Sequence, residues 1–147
     1  MAQVTATAER TIAAPADRVR QALADYASTR SKLLTEQFSE YEVREGGEGA
    51  GTVVHWKLAA TSKRVRDCLL TVTEPAEGKL VETDANSSMV TTWAVTPAGE
   101  SSAVSVTATW NGAGGIGGFF EKTFAPGGLR RIYDGVLANL DSEVHAG

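Results

Sequence analysis

The sequence contains few of the residues that form disulfides, metal clusters or membrane spans. Cys68 is the only cysteine and there are two histidines, which excludes an internal disulfide and a thiolate metal cluster. No apolar run approaches the roughly 18 residues of a membrane-spanning helix, and residues 1–10 lack the apolar core of a signal peptide. We therefore expect a cytoplasmic protein with no stable membrane insertion, no metal and no other cofactor.

An excess of charge of one sign is also missing. The 14 basic and 18 acidic residues give a net charge of −4, and both signs are mixed along the chain. This pattern indicates neither a nucleic-acid-binding surface nor a polybasic membrane patch. A length of 147 residues fits a single domain, 1–147, which can bury a core without disulfides. We expect a monomer or a weak homodimer.

The stretch from Gly112 to Val144 has helical periodicity in two parts. Apolar residues recur at spacings of three and four, first at Ile116, Phe119, Phe120, Thr123 and Phe124, then at Leu129, Ile132, Tyr133, Val136, Leu137, Leu140 and Val144. Pro126-Gly127-Gly128 separates the two sets and would cost a continuous helix on the order of 5 kcal/mol. We predict a bend or break near Pro126. The second segment should cover a sheet, and the first, after a glycine hinge, should gate or line a pocket.

The rest of the chain reads as strand, helix and then strands. A strand from Val4 to Ile12 precedes a helix from about Pro15 to Tyr26, and Ser28 can N-cap a further short helix to Leu34. Beyond these, the period changes to two. Six further strands are predicted: Phe38–Arg44, Val53–Ala59, Lys63–Thr73, Leu80–Asp84, Met89–Thr96 and Ala103–Trp110. A seven-stranded antiparallel sheet curled around one long helix leaves room for a cavity.

Alternation within the strands predicts which side chains line that cavity. In the Lys63–Thr73 strand, Arg64 and Arg66 are expected to point outward, which places Asp67 and Leu69 inward. The predicted ligand-binding residues are Tyr26, Val54, Trp56, Asp67, Leu69, Met89, Thr91, Trp93, Val106, Trp110, Phe119, Phe120 and Thr123. The aromatic residues among them are equally compatible with a plain core.

Asp67 is the one weak candidate for a catalytic group. Burial would raise the pKa of an inward carboxyl and make it an acid or an anchor for a ligand hydroxyl. Alternatively it is a carboxylate at the end of the sheet, bonded to backbone, Lys63 or Arg130. His55 is expected on the outer face and His145 in the tail. The sequence shows no ligand spacing for a metal, and residues 112–118 match neither a P-loop nor a dinucleotide fingerprint.

Several short motifs together resemble one superfamily. They are Ile12-Ala13-Ala14-Pro15 before a helix carrying Val19, Gly49-Ala50-Gly51-Thr52 at a strand entry, Val65-Arg66-Asp67, Thr96-Pro97, and the long C-terminal helix. The chain is similar to the START-like (SRPBCC) superfamily of helix-grip proteins, and more narrowly to its bacterial polyketide cyclase/dehydrase-like group. The resemblance implies an α+β helix-grip fold, with one or two short helices after the first strand.

The resemblance also implies a cavity between sheet and helix, which holds lipids, sterols, polyketides or plant-hormone-like molecules in different relatives. Aromatase/cyclase members orient a polyketone with arginine, tyrosine or histidine. Here Arg64, Arg66 and His55 are expected to face outward, which departs from that pattern.

Three functions are compatible with these observations. The first is non-catalytic binding of a small hydrophobic ligand such as a lipid, polyketide or aromatic compound. The second is a cyclase, dehydratase or hydrolase without metal or nucleotide cofactor, in which Asp67 acts with oxygens of Tyr26, Tyr41 or Thr123. The third is a protein-interaction or toxin/stress-type regulatory module that uses Phe119 and Phe120.

Overall fold

The computed structural model describes residues 3–61, 64–111 and 126–146. These form seven strands and three helices: β1 (Gln3–Ile12), α1 (Ala16–Ala24), α2 (Thr29–Leu33), β2 (Phe38–Glu45), β3 (Val53–Thr61), β4 (Arg64–Thr73), β5 (Lys79–Asp84), β6 (Val90–Ala98), β7 (Ser101–Asn111) and α3 (Pro126–Ala146). The order of elements is the predicted one, and the boundaries differ by a few residues. None of the described helices combines the length and hydrophobicity needed to cross a bilayer.

The seven strands form one antiparallel sheet in the order β1-β7-β6-β5-β4-β3-β2. β1 and β2 therefore lie at opposite edges, although they are separated in sequence only by the two short helices. α3 packs against β1, α1 and α2, and α1 also contacts β6 and β7. The predicted α+β helix-grip architecture is confirmed.

A short junction turns the chain between α1 and α2. Pro15 precedes α1, whose buried face carries Val19 and Leu23. The hydroxyls of Ser28 and Thr29 donate to Oδ2 of Asp25 at 2.6 and 2.9 Å, and these hydrogen bonds, Ser28's first, lower the pKa of Asp25. Ser28 occupies the N-cap position of α2, but its side chain makes no capping hydrogen bond because the hydroxyl is used on Asp25.

The apolar stripe predicted for the second half of the C-terminal stretch is confirmed. Its members, Leu129, Ile132, Tyr133, Val136, Leu137, Leu140 and Val144, are all buried. α3 extends to Ala146, so His145 lies within the helix and not in a tail. The described helix begins at Pro126; the segment before it, with the predicted glycine hinge, lies outside the described residues, and the bend stays a prediction.

α3 also approaches the segment after α2 closely. The amide of Asn139 donates to the carbonyl oxygen of Leu33 at 2.9 Å. A Cβ placed on Gly135 would lie 2.9 Å from Cγ2 of Thr35, which is closer than carbon atoms normally approach. The absence of a side chain at Gly135 therefore lets the helix and the segment that leads into β2 pack together.

Candidate ligand-binding site

The inner face of the sheet is apolar and aromatic, as the strand periods predict. In β3, for example, Val54, Trp56 and Leu58 are buried. The structure also buries the predicted site residues Tyr26, Met89, Thr91, Trp93, Val106 and Trp110. These side chains are buried between the sheet and the helices.

The face assignment of β4 is wrong in the sequence analysis. Arg66 and Cys68 are buried, whereas the side chain of Asp67 is 56% exposed. In the sheet Cys68 lies opposite Trp56, and Leu69 opposite His55. Residues directly opposite in a sheet share a face, so Asp67 and Leu69 belong to the outer face and do not line the core.

The charge of the two arginines of β4 predicts that they face solvent, and this prediction is wrong for Arg66. Cys68, Leu70 and Val72 supply the apolar set of this strand, and all three are buried. Arg66 has the same parity and is carried inward with them, because long stems of arginine bury readily along apolar surface. The guanidinium group consequently enters the core.

Asp67 is an ionised carboxylate on the outer face and not a buried acid. Its Oδ1 lies 2.6 Å from Nε2 of His55, and the amide of Asn86 donates to Oδ2 at 3.4 Å. The hydrogen bond from His55 is the main reason that the pKa of Asp67 is lowered. This arrangement removes the basis for Asp67 as catalytic acid. Among the described residues its side-chain partners are His55 and Asn86 rather than Arg130, and the other predicted partner, Lys63, lies outside the described residues. His55 lies on the outer face, as predicted.

The inner face holds a buried charge cluster that the sequence analysis did not find. Tyr26 donates its hydroxyl to Oε2 of Glu82 at 2.5 Å. Arg30 donates Nη2 to the same oxygen, also at 2.5 Å. Oε1 of Glu82 accepts from Nε1 of Trp93 at 3.0 Å. Arg30 and Glu82 are each only 1% exposed, so this is an ion pair inside the core.

The surroundings of Arg30 keep its guanidinium group positively charged. Burial disfavours the guanidinium charge, but the Glu82 carboxylate and Tyr26 outweigh it, and the pKa of Arg30 is raised. Nη1 donates to the carbonyl oxygen of Leu23 at 2.9 Å. The guanidinium carbon lies 4.5 Å from the ring centroid of Tyr26 and 4.7 Å from that of Trp93, within range of cation–π attraction. Burial raises the pKa of Tyr26, so its hydroxyl stays a neutral donor.

One signal in the sequence pointed to this cluster. In β5, Leu80, Glu82 and Asp84 alternate with exposed or half-buried neighbours, and all three are buried. Since Leu80 must face the core, a period of two places Glu82 there as well. Arg30 gave no comparable signal, because the five residues of α2 are too few to show a helical period.

Two hydroxyl groups face each other between the helix and the sheet. Oη of Tyr133, on α3, lies 3.5 Å from Oγ1 of Thr91, on β6, at the outer limit of a hydrogen bond. Both residues are buried, and burial raises the pKa of Tyr133, which keeps the phenol neutral. The rings of Trp93 and Tyr133 meet edge to face at 5.7 Å.

A second aromatic group surrounds Trp56. The ring of Tyr41 lies 6.1 Å from it at an interplanar angle of 10°, and Phe38 meets it edge-on at 5.7 Å. The hydroxyl of Tyr41 donates to the carbonyl oxygen of Tyr26 at 2.6 Å, and burial raises the pKa of Tyr41 to about 12. Three rings from β2 and β3 therefore form one side of the core.

Comparison with known proteins agrees with this architecture. The family model described as polyketide cyclase / dehydrase and lipid transport matches residues 2–145. The chain belongs to this family. No protein of curated function matches the sequence significantly.

Solved structures extend the comparison. This family member is 53% identical to the KanY protein, whose solution structure has a TM-score of 0.88 and is matched over 98% of this chain and 99% of that chain. The Zhui aromatase/cyclase from Streptomyces sp. R1128 is 18% identical, with a TM-score of 0.77 and coverage of 97% and 94%. A truncated norcoclaurine synthase from Thalictrum flavum is 15% identical, with a TM-score of 0.72 and coverage of 99% and 96%. The last two show likeness of fold alone.

Cys68 gives this family member no reactive thiol. Burial, followed by the negative charge of Asp84, raises the pKa of Cys68 to about 12. Asp84 itself accepts hydrogen bonds from the backbone of Leu69 and Asn86 and from the hydroxyl of Ser87.

Among the described residues, no group of three or more His, Cys, Asp or Glu side chains is placed to hold a metal ion. Phe119, Phe120 and Thr123 lie outside the described residues.

Proposed function

We propose that this protein binds a small hydrophobic molecule, such as a lipid, polyketide or aromatic compound, between the inner face of the sheet and α3. The observation that carries the proposal is the pair of buried hydroxyls of Thr91 and Tyr133, separated by 3.5 Å. Buried polar groups normally make well-formed hydrogen bonds. A ligand carbonyl or hydroxyl oxygen beside this pair would give both groups a better partner.

The surroundings of the pair fit an aromatic or polyketide ligand. The rings of Trp93 and Tyr133 lie edge to face beside the pair, and aromatic side chains commonly line sites for flat ligands. Arg66 is a further buried cationic side chain on the same face of the sheet. These features favour a ligand that is apolar over most of its surface and carries a few oxygen atoms.

A matched pair of threonines in β6 tests the proposal. Thr91 is buried on the inner face, whereas its neighbour Thr92 is half-buried and, by alternation, belongs to the outer face. Ligands are first selected from lipids and aromatic polyketides by thermal stabilisation of the wild-type protein. For an oxygen-bearing hit, Thr91→Val and Tyr133→Phe should each weaken binding by about 5–10-fold, the loss of one hydrogen bond. Thr92→Val should leave affinity unchanged. Equal effects of the two threonine variants, or no stabilisation by any compound, would refute the proposal.

A cyclase or dehydratase activity is the second candidate, and the inward position of Arg66 favours it. Of the residues that were expected to face outward, Arg66 lies on the inner face, whereas His55 lies on the outer face. A guanidinium group beside a bound substrate can stabilise negative charge that develops on an enolate oxygen. Incubation with a short poly-β-keto thioester, followed by mass spectrometry for cyclised and dehydrated product, tests this activity. Arg66→Met should abolish product while Arg66→Lys retains some, and a wild-type protein that forms no product faster than buffer would exclude it.

A further inference from the structure

β2 contains an irregularity directly opposite Trp56. Ser39 pairs with Lys57 and Glu42 with His55, so two residues of β2, Glu40 and Tyr41, face the single residue Trp56 of β3. This two-against-one arrangement is a β-bulge. It changes which side chains of the edge strand reach the inner face.

The bulge explains how two aromatic residues of β2 reach the same ring. Phe38 and Tyr41 are three positions apart, and in a regular strand they would point to opposite faces. With the extra residue both contact Trp56, Phe38 edge-on and Tyr41 nearly parallel. A regular β2 would turn one of these two rings toward solvent.

Glu40 adopts a backbone conformation that its residue type disfavours. Its φ is +52°, and it is the only non-glycine residue with positive φ in the part of the chain that the structure describes. Bulges with this conformation at the first position usually place glycine there, because a Cβ is strained in the left-handed region. Such a conformation persists only where the surroundings hold it.

His55 supports the backbone of Glu40 from the outer face, while the Glu40 carboxylate pairs with Lys57 at 2.8 Å. Its Nδ1 lies 3.1 Å from the carbonyl oxygen of Glu40, and its Nε2 lies 2.6 Å from Oδ1 of Asp67. A carbonyl oxygen and a carboxylate oxygen both accept, so the two contacts form together when the imidazole carries an N–H on each nitrogen, and together they join β4 to the bulge. His55 is 8% exposed, so water competes poorly for these contacts.

We propose that His55 is a positioning residue: its hydrogen bond to the Glu40 carbonyl holds the bulge, and the bulge holds Tyr41 and Phe38 against Trp56. Asp67 orients the imidazole from β4. A side chain on the outer face thus sets the geometry of an aromatic group on the inner face. The effect on Trp56 stands by itself, whereas its consequence for ligand binding rests on the proposed function.

Two substitutions of His55 separate its two contacts. His55→Asn retains an amide N–H near the position of Nδ1 and can still donate to the Glu40 carbonyl. His55→Gln places its N–H near the position of Nε2 and retains only the contact with Asp67. Trp56 is observed through its indole N–H signal in proton–nitrogen correlation spectra, assigned with Trp56→Phe. Tyr41→Ala gives the shift expected when the parallel ring is lost.

We expect His55→Asn to keep the Trp56 signal at its wild-type position and His55→Gln to move it in the direction of Tyr41→Ala. Glu40→Gly in the His55→Gln background should return the signal, because glycine adopts positive φ without support. In the Glu40→Gly background His55→Gln should cause no further shift, and a shift there would also overturn the proposal. Equal shifts in His55→Asn and His55→Gln, a shift in His55→Asn alone, no shift in either, or no rescue by Glu40→Gly would overturn the proposal.

Binding of the fluorescent probe anilinonaphthalene sulfonate tests the link to the ligand site. Its affinity should fall about fivefold in His55→Gln, because Tyr41 and Phe38 no longer hold Trp56 in place, and should be unchanged in His55→Asn. A probe affinity that is equal in the two variants would refute the link. Failure of the probe to bind wild-type protein counts against the proposed function, while the Trp56 signal still decides the role of His55.

Discussion

Nε2 of His145 lies 2.8 Å from the carbonyl oxygen of Ala13, and Nδ1 of the same ring lies 2.7 Å from the carbonyl oxygen of Asp141. Carbonyl oxygens only accept hydrogen bonds, so both contacts form only when the imidazole carries two N–H groups. The side chain of Asp141 also lies 3.2 Å from Nδ1 and pairs with Arg10 of β1. Protonated His145 therefore joins the end of α3 to the corner after β1.

This contact predicts a pH dependence of stability. The hydrogen bonds to the carbonyls of Ala13 and then Asp141 raise the pKa of His145 above its ordinary value. A group with a raised pKa in the folded state contributes stability fully below its unfolded pKa of about 6.5 and loses it as pH rises through the folded pKa. The free energy of unfolding of wild type, measured by urea denaturation, should therefore exceed that of His145→Ala at pH 5.5–6. The difference should shrink as pH rises to about 8.5. Parallel curves for the two proteins would contradict this prediction.

Because Arg30 and Glu82 form a buried ion pair, we predict that the effects of their mutations on the free energy of unfolding are not additive. Arg30→Met leaves the Glu82 carboxylate inside the core without its cation and should cost about 3–5 kcal/mol. Glu82→Met should cost a similar amount, since it leaves Arg30 charged and removes the acceptor of Tyr26 and Trp93. The double variant should be considerably more stable than the sum of the two losses predicts, because no unpaired charge remains. Urea unfolding of all four proteins measures the coupling, and additive losses would show that the pair is not buried as described.

The close approach of Gly135 to Thr35 predicts that Gly135→Ala destabilises the wild-type protein but stabilises a variant with a smaller side chain at position 35. Gly135→Ala improves helix propensity by about 1 kcal/mol but drives its Cβ against Cγ2 of Thr35, and overpacking costs about 1–3 kcal/mol. We expect a net loss of about 1 kcal/mol in the wild-type background. Thr35→Ser removes Cγ2 and keeps the hydroxyl, so Gly135→Ala should stabilise this background. Thermal unfolding of the wild type, the two single variants and the double variant tests this prediction. If Gly135→Ala destabilised both backgrounds equally, the contact with Cγ2 of Thr35 would not be the cause.

Cys68 is expected to be inert in the folded protein. Its side chain is buried and its pKa is raised to about 12, so both access and thiolate are lacking at neutral pH. Iodoacetamide should modify it slowly at pH 7.5 and rapidly in denaturing urea, as followed by intact mass. Native modification as fast as that of the unfolded chain would show that the core opens at β4.

The sequence predicted the fold because its signals are local and redundant. The period of two repeats in six consecutive strands, and the apolar stripe of α3 from Leu129 to Val144 covers about four helical turns, so single misassigned residues do not change the topology. The family resemblance rested on such structural motifs. The prediction that Trp56, Trp93 and Trp110 share the inner face follows from the same period.

The polar part of the site was less predictable, for identifiable reasons. Each of the two alternating sets of residues in β4 contains charged and apolar members, so the sequence does not show which set faces the core. Only the pairing of Cys68 with Trp56 in the sheet identifies the inward set. The partner of Glu82 is Arg30, 52 positions away in the sequence, and no local pattern encodes such a contact. The bulge at Glu40 was equally invisible, since the residue there is not the glycine that its conformation favours.

The bulge has one more consequence, because β2 is an edge of the sheet. A straight exposed edge offers a row of backbone donors and acceptors to which a strand of another molecule can add. β2 departs from regular pairing twice, between Ser39 and Glu42 and again between Val43 and Glu45, and its outward charges include Glu42 and Arg44. An incoming strand could match only a few residues before losing register, so the irregularity of β2 should also keep the folded protein from aggregating through this edge.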